Sequence, residues 1–186
     1  MVEPLRSLTL DQRAQLLQHA RHVAHGHFSA TTPSPRERPL ITGAFGGAFV
    51  TFWASSELRG CVGSFVPTED LVRTVEQVTR SSLADPRFQT KPVTAEELVT
   101  LSIEISVLSG LTSCTHPSLL TPGLHGVLVR KGDASGCFLP KVASEHGWSA
   151  EELLSKCCAL KAGLPEDAWR DQITDVMLFT AESFSE

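Results

Sequence analysis

The clearest periodicity in the chain is VTLSIEISVLS, residues 99–109. Leu101, Ile103, Ile105 and Val107 alternate there with Thr100, Ser102, Glu104 and Ser106. A period of two predicts a strand with one face in the core and one polar face. AFVTFWA (48–54) and ELRGCVGSF (57–65) are rich in β-branched and aromatic residues and flank Ser55 and Ser56, which predicts an antiparallel hairpin. A second hairpin is expected in GLHGVLVRKGDASGCFLP, turning at Gly132–Asp133, and DQITDVMLFTAESF is expected to return as one final strand.

Helical signals alternate with these strands. Thr9 and Gln12 have capping-box spacing before an apolar stripe of Leu16, Leu17, Ala20 and Val23, which predicts a helix from Leu10 to about His25, stopped by Gly26. A second helix is expected to start at Pro67 and Thr68, with Glu69 and Asp70 in its first turn and Leu71, Val72, Val75 and Val78 on its inner face. Asp85–Phe88, DPRF, reads as an Asp-Pro turn. Thr94 to Glu97 has capping-box spacing, with Val93 and Leu98 placed as a hydrophobic staple. Val142–Glu145 reads as a short helix before Gly147. Ser149 to Glu152 opens a last helix that runs to about Ala162 and stops at Gly163. Hairpins dominate, so the fold class is α+β, a mainly antiparallel sheet with flanking helices. The chain reads as one domain over residues 1–186. A Pro/Gly-rich connection over 27–47 contains Pro33, Pro35 and Pro39 and is expected to be an extended surface segment.

Composition narrows the classes. Among 186 residues, 41% are apolar and 20% charged, the balance of a globular protein with its own core. The net charge of −5 argues against general nucleic-acid binding, which needs a basic footprint. No apolar run is long enough for a membrane helix, and the first residues lack the pattern of a secretory signal. Five cysteines, an odd number, without that signal point to reduced thiols in the cytoplasm. Cys157 and Cys158 are expected to be one buried and one half-buried thiol on a helix. No C-x-x-C is present, and neither a metal site nor a cofactor motif is read from the residues.

The candidate chemistry centres on LRGCVGSF. In a regular strand Arg59, Cys61 and Gly63 share a face, with i and i+2 roughly 6.5 Å apart. Arg59 is then placed to fold over Cys61 and favour its thiolate. Gly63 would leave space beside the sulfur, and Gly60 would remove bulk from the opposite face. A plainer reading makes Cys61 a small packed hydrophobe and the glycines the openings for a docked helix. Glu104 is the only charged residue in its strand and would serve as base, ligand or partner of Arg59 if its face lines a cleft. His125 and His116 are candidate proton shuttles. His19, His22, His25 and His27 crowd the end of the first helix, where a solvated helix end is a better account than a metal site.

LRGCVGSF, LADPRF, LSIEISVLS, LHGVLVR, GCFLPKVASEHGW and KAGLPEDAW occur in this order. Together they resemble the AMMECR-domain family over about residues 16–184. The resemblance implies an α+β fold with a larger and a smaller lobe. It also implies a place in the AmmeMemoRadiSam system beside a Memo-type protein and a radical SAM protein. It implies no particular reaction. It marks Leu58, Arg59, Gly60, Cys61 and Gly63, then Asp85, Pro86, Arg87 and Phe88, and the segments at His125–Gly126 and Phe138–Pro140. Lys141, where relatives carry glutamine, and the absence of tyrosine depart from the pattern. The expected function is a component of a redox or radical modification system. Cys61 is the nucleophile or carrier, Arg59 holds its thiolate or a substrate carboxylate, and Glu104 or His125 is the proton carrier. Gly60, Gly63, Ser64 and Gly126 are candidate substrate contacts, and Asp85, Arg87 and Phe88 are expected to support the cleft. The alternative is a non-catalytic adaptor that holds a peptide or the radical SAM partner in the same groove; an unknown small molecule or peptide is the further partner expected.

Overall fold

The computed structural model describes residues 5–29 and 38–186. In chain order the strands are β1 (Thr42–Phe45), β2 (Gly47–Ala54), β3 (Glu57–Ser64), β4 (Thr68–Asp70), β5 (Ser102–Leu108), β6 (Thr112–Ser113), β7 (Gly126–Lys131), β8 (Ala134–Phe138), β9 (Asp175–Phe179) and β10 (Ala181–Ser185). The α-helices are α1 (Leu10–Phe28), α2 (Leu71–Leu83), α3 (Ala95–Leu98), α4 (Pro140–His146) and α5 (Ala150–Lys156). The α+β class with antiparallel sheets is as expected. The chain gathers into two compact units. The larger is Arg6–Leu108 with Glu182–Glu186, and the smaller includes Ser109–Ala181.

In the larger unit the sheet order is β10-β5-β2-β3. Val50, Phe52, Ile103, Ile105 and Val107 are wholly buried, with α2 against β2 and β3 and α1 against α2 and β5. Thr9 and Gln12 form the capping box of α1, and the helix runs through Gly26 to Phe28. A helical glycine costs only about 1 kcal/mol, so Gly26 does not stop it. The second helix starts later than the sequence suggests. Thr68–Asp70 pairs with β1 as β4, and the Asp70 carboxylate caps α2 by accepting the Arg73 N–H. Of the connection expected over 27–47, His27 and Phe28 belong to α1, and Thr42–Phe45 forms β1. Pro33 and Pro35 lie outside the described residues.

In the smaller unit the order is β6-β9-β7-β8, with α4 and α5 against β7. The segment expected to be one final strand divides at Thr180 into β9 and β10, which belong to different sheets. Alternation alone carries no mark of that change. Ser149 and Glu152 form the capping box of α5, and the helix continues as a π-helical turn over Cys157–Ala162. A π turn rotates each residue less than the roughly 100° of an α-helix. Cys157 and Cys158 are both buried rather than one being half-buried, because this turn packs on two sides within the core cluster of the smaller unit.

Candidate active site

The hairpin between β2 and β3 carries one extra residue. Leu58 pairs with Trp53 but Gly60 pairs with Phe52, so Arg59 stands in a β-bulge without a partner. Beyond it Cys61 pairs with Thr51, and Thr51 pairs with Glu104 on its other side. Cys61, Thr51 and Glu104 therefore form one row across three strands. A Cβ on Gly60 would lie 2.2 Å from the Ser82 carbonyl oxygen in α2, so Gly60 faces the helices. Cys61 and its row face the other way.

The half-buried Cys61 sulfur accepts a hydrogen bond from the Thr51 hydroxyl at 3.2 Å. Because β3 is an edge strand, the N–H and C=O of Cys61 find partners outside the sheet. The Asp85 carboxylate accepts the Cys61 N–H at 3.0 Å, and Arg87 Nη2 donates to the Cys61 carbonyl at 2.7 Å. The turn Pro86–Phe88 is a single 3-10 turn capped by Asp85, which accepts the Arg87 N–H at 3.0 Å. The same carboxylate accepts Arg87 Nε at 3.0 Å and Nη2 at 2.6 Å. Burial would raise the pKa of Asp85, but the bonds from Arg87 and from the Cys61 N–H outweigh it and hold the carboxyl below its usual range. The bond to Asp85 likewise raises the pKa of Arg87. Partial burial opposes it, and the charge of Asp85 adds to it.

Arg59 does not take the position over Cys61 that its spacing suggests. Its guanidinium is buried and binds Glu97, with Nη2 to Glu97 Oε2 at 3.0 Å and to the Lys91 carbonyl at 3.1 Å. The bulge breaks the alternation on which the expectation rested. Glu97 stands at the third position of α3, yet its carboxylate goes to Arg59 rather than completing a capping box with Thr94. The Phe88 ring stands near both cations, 6.0 Å from Arg59 Cζ and 5.8 Å from Arg87 Cζ. Gly63 does not leave open space. A Cβ there would lie 2.3 Å from the Phe49 ring, which lies flat on the glycine and meets Phe65 edge-on at 5.4 Å. The Ser64 hydroxyl accepts the Val66 N–H in the following turn.

The AMMECR1 family model matches residues 17–184. A protein of Methanothermobacter thermautotrophicus is 36% identical over 188 residues, covering 96% of each chain. Protein MJ0810 of Methanocaldococcus jannaschii is 32% identical, covering 98% of this chain and 94% of its own. The crystal structure of uncharacterized protein PH0010 from Pyrococcus horikoshii superimposes with a TM-score of 0.80 at 35% identity, covering 92% of this chain and 89% of that one. The chain belongs to the AMMECR1 family. The match spans the residues of both compact units.

In this AMMECR1-family chain the sequence-derived candidates divide between the units. Cys61, Glu104, Gly60, Gly63, Ser64, Asp85, Arg87 and Phe88 lie in the larger one, and His125 and Gly126 in the smaller. His125 Nδ1 accepts the Thr121 N–H at 3.0 Å, which sets the neutral ring's proton on Nε2, and burial lowers its pKa. Gly126 is buried, and a Cβ there would lie 2.5 Å from the Phe179 ring, so its smallness serves packing in the sheet. His116 Nδ1 caps its own turn against Ser118. Burial lowers the pKa of His19, whose Nε2 is 3.7 Å from Glu76. Among the described residues no group of three His, Cys, Asp or Glu side chains is arranged to hold a metal ion. No helix of the described residues is long and apolar enough to cross a membrane. The sequence does not by itself announce the contacts of Thr51 and Arg87 with Cys61. The DPRF motif points to Arg87, but only the bulged register brings Thr51 to Cys61.

Proposed function

We propose that the Cys61 thiol is the reactive group of this protein, as a nucleophile or covalent carrier. One observation carries the reading: the Asp85 carboxylate binds both the Cys61 N–H and the Arg87 guanidinium. A single buried anion thus fixes the thiol's backbone and the cation beside it. The Thr51 hydroxyl donates to the sulfur and Arg87 binds the Cys61 carbonyl, so the thiol stands among fixed polar donors of the kind nucleophilic cysteines use. Glu104, across Thr51 in the same row, is the carboxylate we assign to moving protons. Arg59 supports the site from Glu97 instead of serving as the thiol's cation.

This reading suits a component of a modification system that works beside Memo-type and radical SAM proteins, with Cys61 holding a group between steps. All five cysteines are free thiols, which supports a reducing, cytoplasmic setting. The test is site-resolved alkylation with iodoacetamide at neutral pH, read by mass spectrometry. Cys61 is expected to react first of the five, and Arg87→Met to slow it several-fold. A Cys61 slower than Cys114 and Cys137, or indifferent to Arg87→Met, would remove the thiol chemistry and leave the groove to the adaptor reading.

A further inference from the structure

The proposed thiol site also carries features that select a substrate, and the substrate inferred from them depends on Cys61 being the reactive group. Phe49 lies two residues before Thr51, and Gly63 two residues after Cys61, in paired register. The Phe49 ring is therefore on the same face as the sulfur, a diagonal neighbour at about 7 Å. It can lie flat only because position 63 has no side chain, since a Cβ would come within 2.3 Å of ring atoms Cγ and Cδ1. Phe65 holds the ring edge-on, and both rings are half-buried, neither sealed in the core. The thiol is thus flanked by a fixed aromatic platform.

The second feature is the donor count of Arg87. A guanidinium has five N–H groups. Three donate to oxygen, at Asp85 Oδ1, Asp85 Oδ2 and the Cys61 carbonyl. The two on Nη1 remain for a ligand oxygen, on a side chain that is 55% exposed. Donors fixed beside a nucleophile suit an oxygen that gains charge as the nucleophile attacks. A disulfide or an alkyl halide offers no such oxygen, whereas an acyl carbonyl does.

We infer that Cys61 accepts an acyl group with an apolar, preferably aromatic, side group, delivered as a thioester. The Cys61 thiolate attacks the carbonyl carbon, and the carbonyl oxygen takes its negative charge facing Arg87. The new S–C bond forms, the bond to the donor sulfur breaks, and the donor leaves as a thiolate. One thiolate is consumed and one released, with no oxidation and no net proton. The side group rests against Phe49.

The test uses the phenylacetyl and acetyl thioesters of N-acetylcysteamine with the full chain. Acylation of Cys61 is followed by peptide mass mapping, and each rate is divided by that thioester's rate with free cysteine. The phenylacetyl group is expected to be favoured about tenfold, the worth of one aromatic contact. Phe49→Leu should bring that ratio to within about twofold, and Arg87→Met should slow both thioesters. A ratio near one in the unaltered protein overturns the inference. So does a Cys61 that iodoacetamide alkylates but neither thioester acylates, and in both cases the reactive-thiol proposal stands. If iodoacetamide also fails at Cys61, that proposal falls as well.

Discussion

The carboxylate of Asp85 accepts the backbone N–H of Cys61 at 3.0 Å across 24 positions of chain. It is buried, and it holds Arg87 with its other hydrogen bonds. Asp85→Ala removes the acceptor of a strand N–H and the cap of the Pro86–Phe88 turn together. The expected loss is about 2–3 kcal/mol in urea denaturation, with slower alkylation of Cys61 because Arg87 loses its anchor. Asp85→Asn keeps an acceptor for Cys61 and should cost less. The folded pKa of Asp85 is depressed. Its contribution is therefore present above the unfolded value of about 3.9 and is lost as pH falls through the folded value. The stability gap between the unaltered protein and Asp85→Asn should be constant above about pH 5 and close below about pH 4. A gap that widened in acid would contradict the assignment.

Arg59 and Glu97 should behave differently from Arg87, although Arg59 is the arginine nearest to Cys61 in sequence. The Arg59 side chain is 1% exposed and that of Glu97 27%. Arg59→Met leaves a carboxylate without its main partner, at a cost of about 3 kcal/mol. The intact fraction should still alkylate Cys61 at the unaltered rate. The bond from Arg59 lowers the pKa of Glu97 against the opposing effect of burial. This pair too stabilises the fold above about pH 4.3 and is lost in acid. Thermal melts from pH 3 to 7 on Arg59→Met, together with its alkylation rate, check both statements. Loss of reactivity without loss of stability would return Arg59 to the thiol.

Gly60 and Gly63 separate two kinds of close approach. A methyl on Gly60 meets the Ser82 carbonyl of α2 at 2.2 Å, and neither backbone can yield without moving the helix off the sheet. Gly60→Ala should cost about 2–3 kcal/mol. A methyl on Gly63 meets a side-chain ring, which can turn away. Gly63→Ala should cost about 1 kcal/mol and displace Phe49. Urea denaturation of both variants gives the order, and equal costs would contradict it.

The contrast between these glycines shows what was legible in the sequence. The strand at Ser102–Leu108 and the capping boxes at Thr9 and Ser149 follow from local chemistry, and the structure has them. So does the Asp-Pro turn at Asp85. The bulge at Arg59 is set by long-range packing. A regular ladder from the Ser55–Ser56 turn would put Thr51 opposite Gly60, and the extra residue moves it to Cys61. That shift also releases Arg59 towards Glu97, so Arg59 does not share the face of Cys61 that a regular strand would give it. The capping-box spacing at Thr94–Glu97 misled for the same reason, because the spacing carries no record of the buried guanidinium that claims Glu97.

Thr51→Val tests the row itself with little disturbance of the fold. Thr51 is buried at the centre of the sheet, and its hydroxyl donates to the Cys61 sulfur at 3.2 Å. Valine keeps the branched shape and suits a strand at least as well. The sulfur left behind is a weak acceptor, so no strongly polar group is stranded, and stability should change by less than about 1 kcal/mol. The anionic form of the thiol, in contrast, loses a donor. A net hydrogen bond of about 1 kcal/mol corresponds to several-fold in equilibrium, so alkylation of Cys61 at neutral pH should slow about three- to fivefold. Cys114 and Cys137 serve as internal standards in the same sample. If Cys61 reacted as fast in Thr51→Val as in the unaltered protein, the hydroxyl would be packing alone, and the reactive-thiol proposal would rest on Asp85 and Arg87.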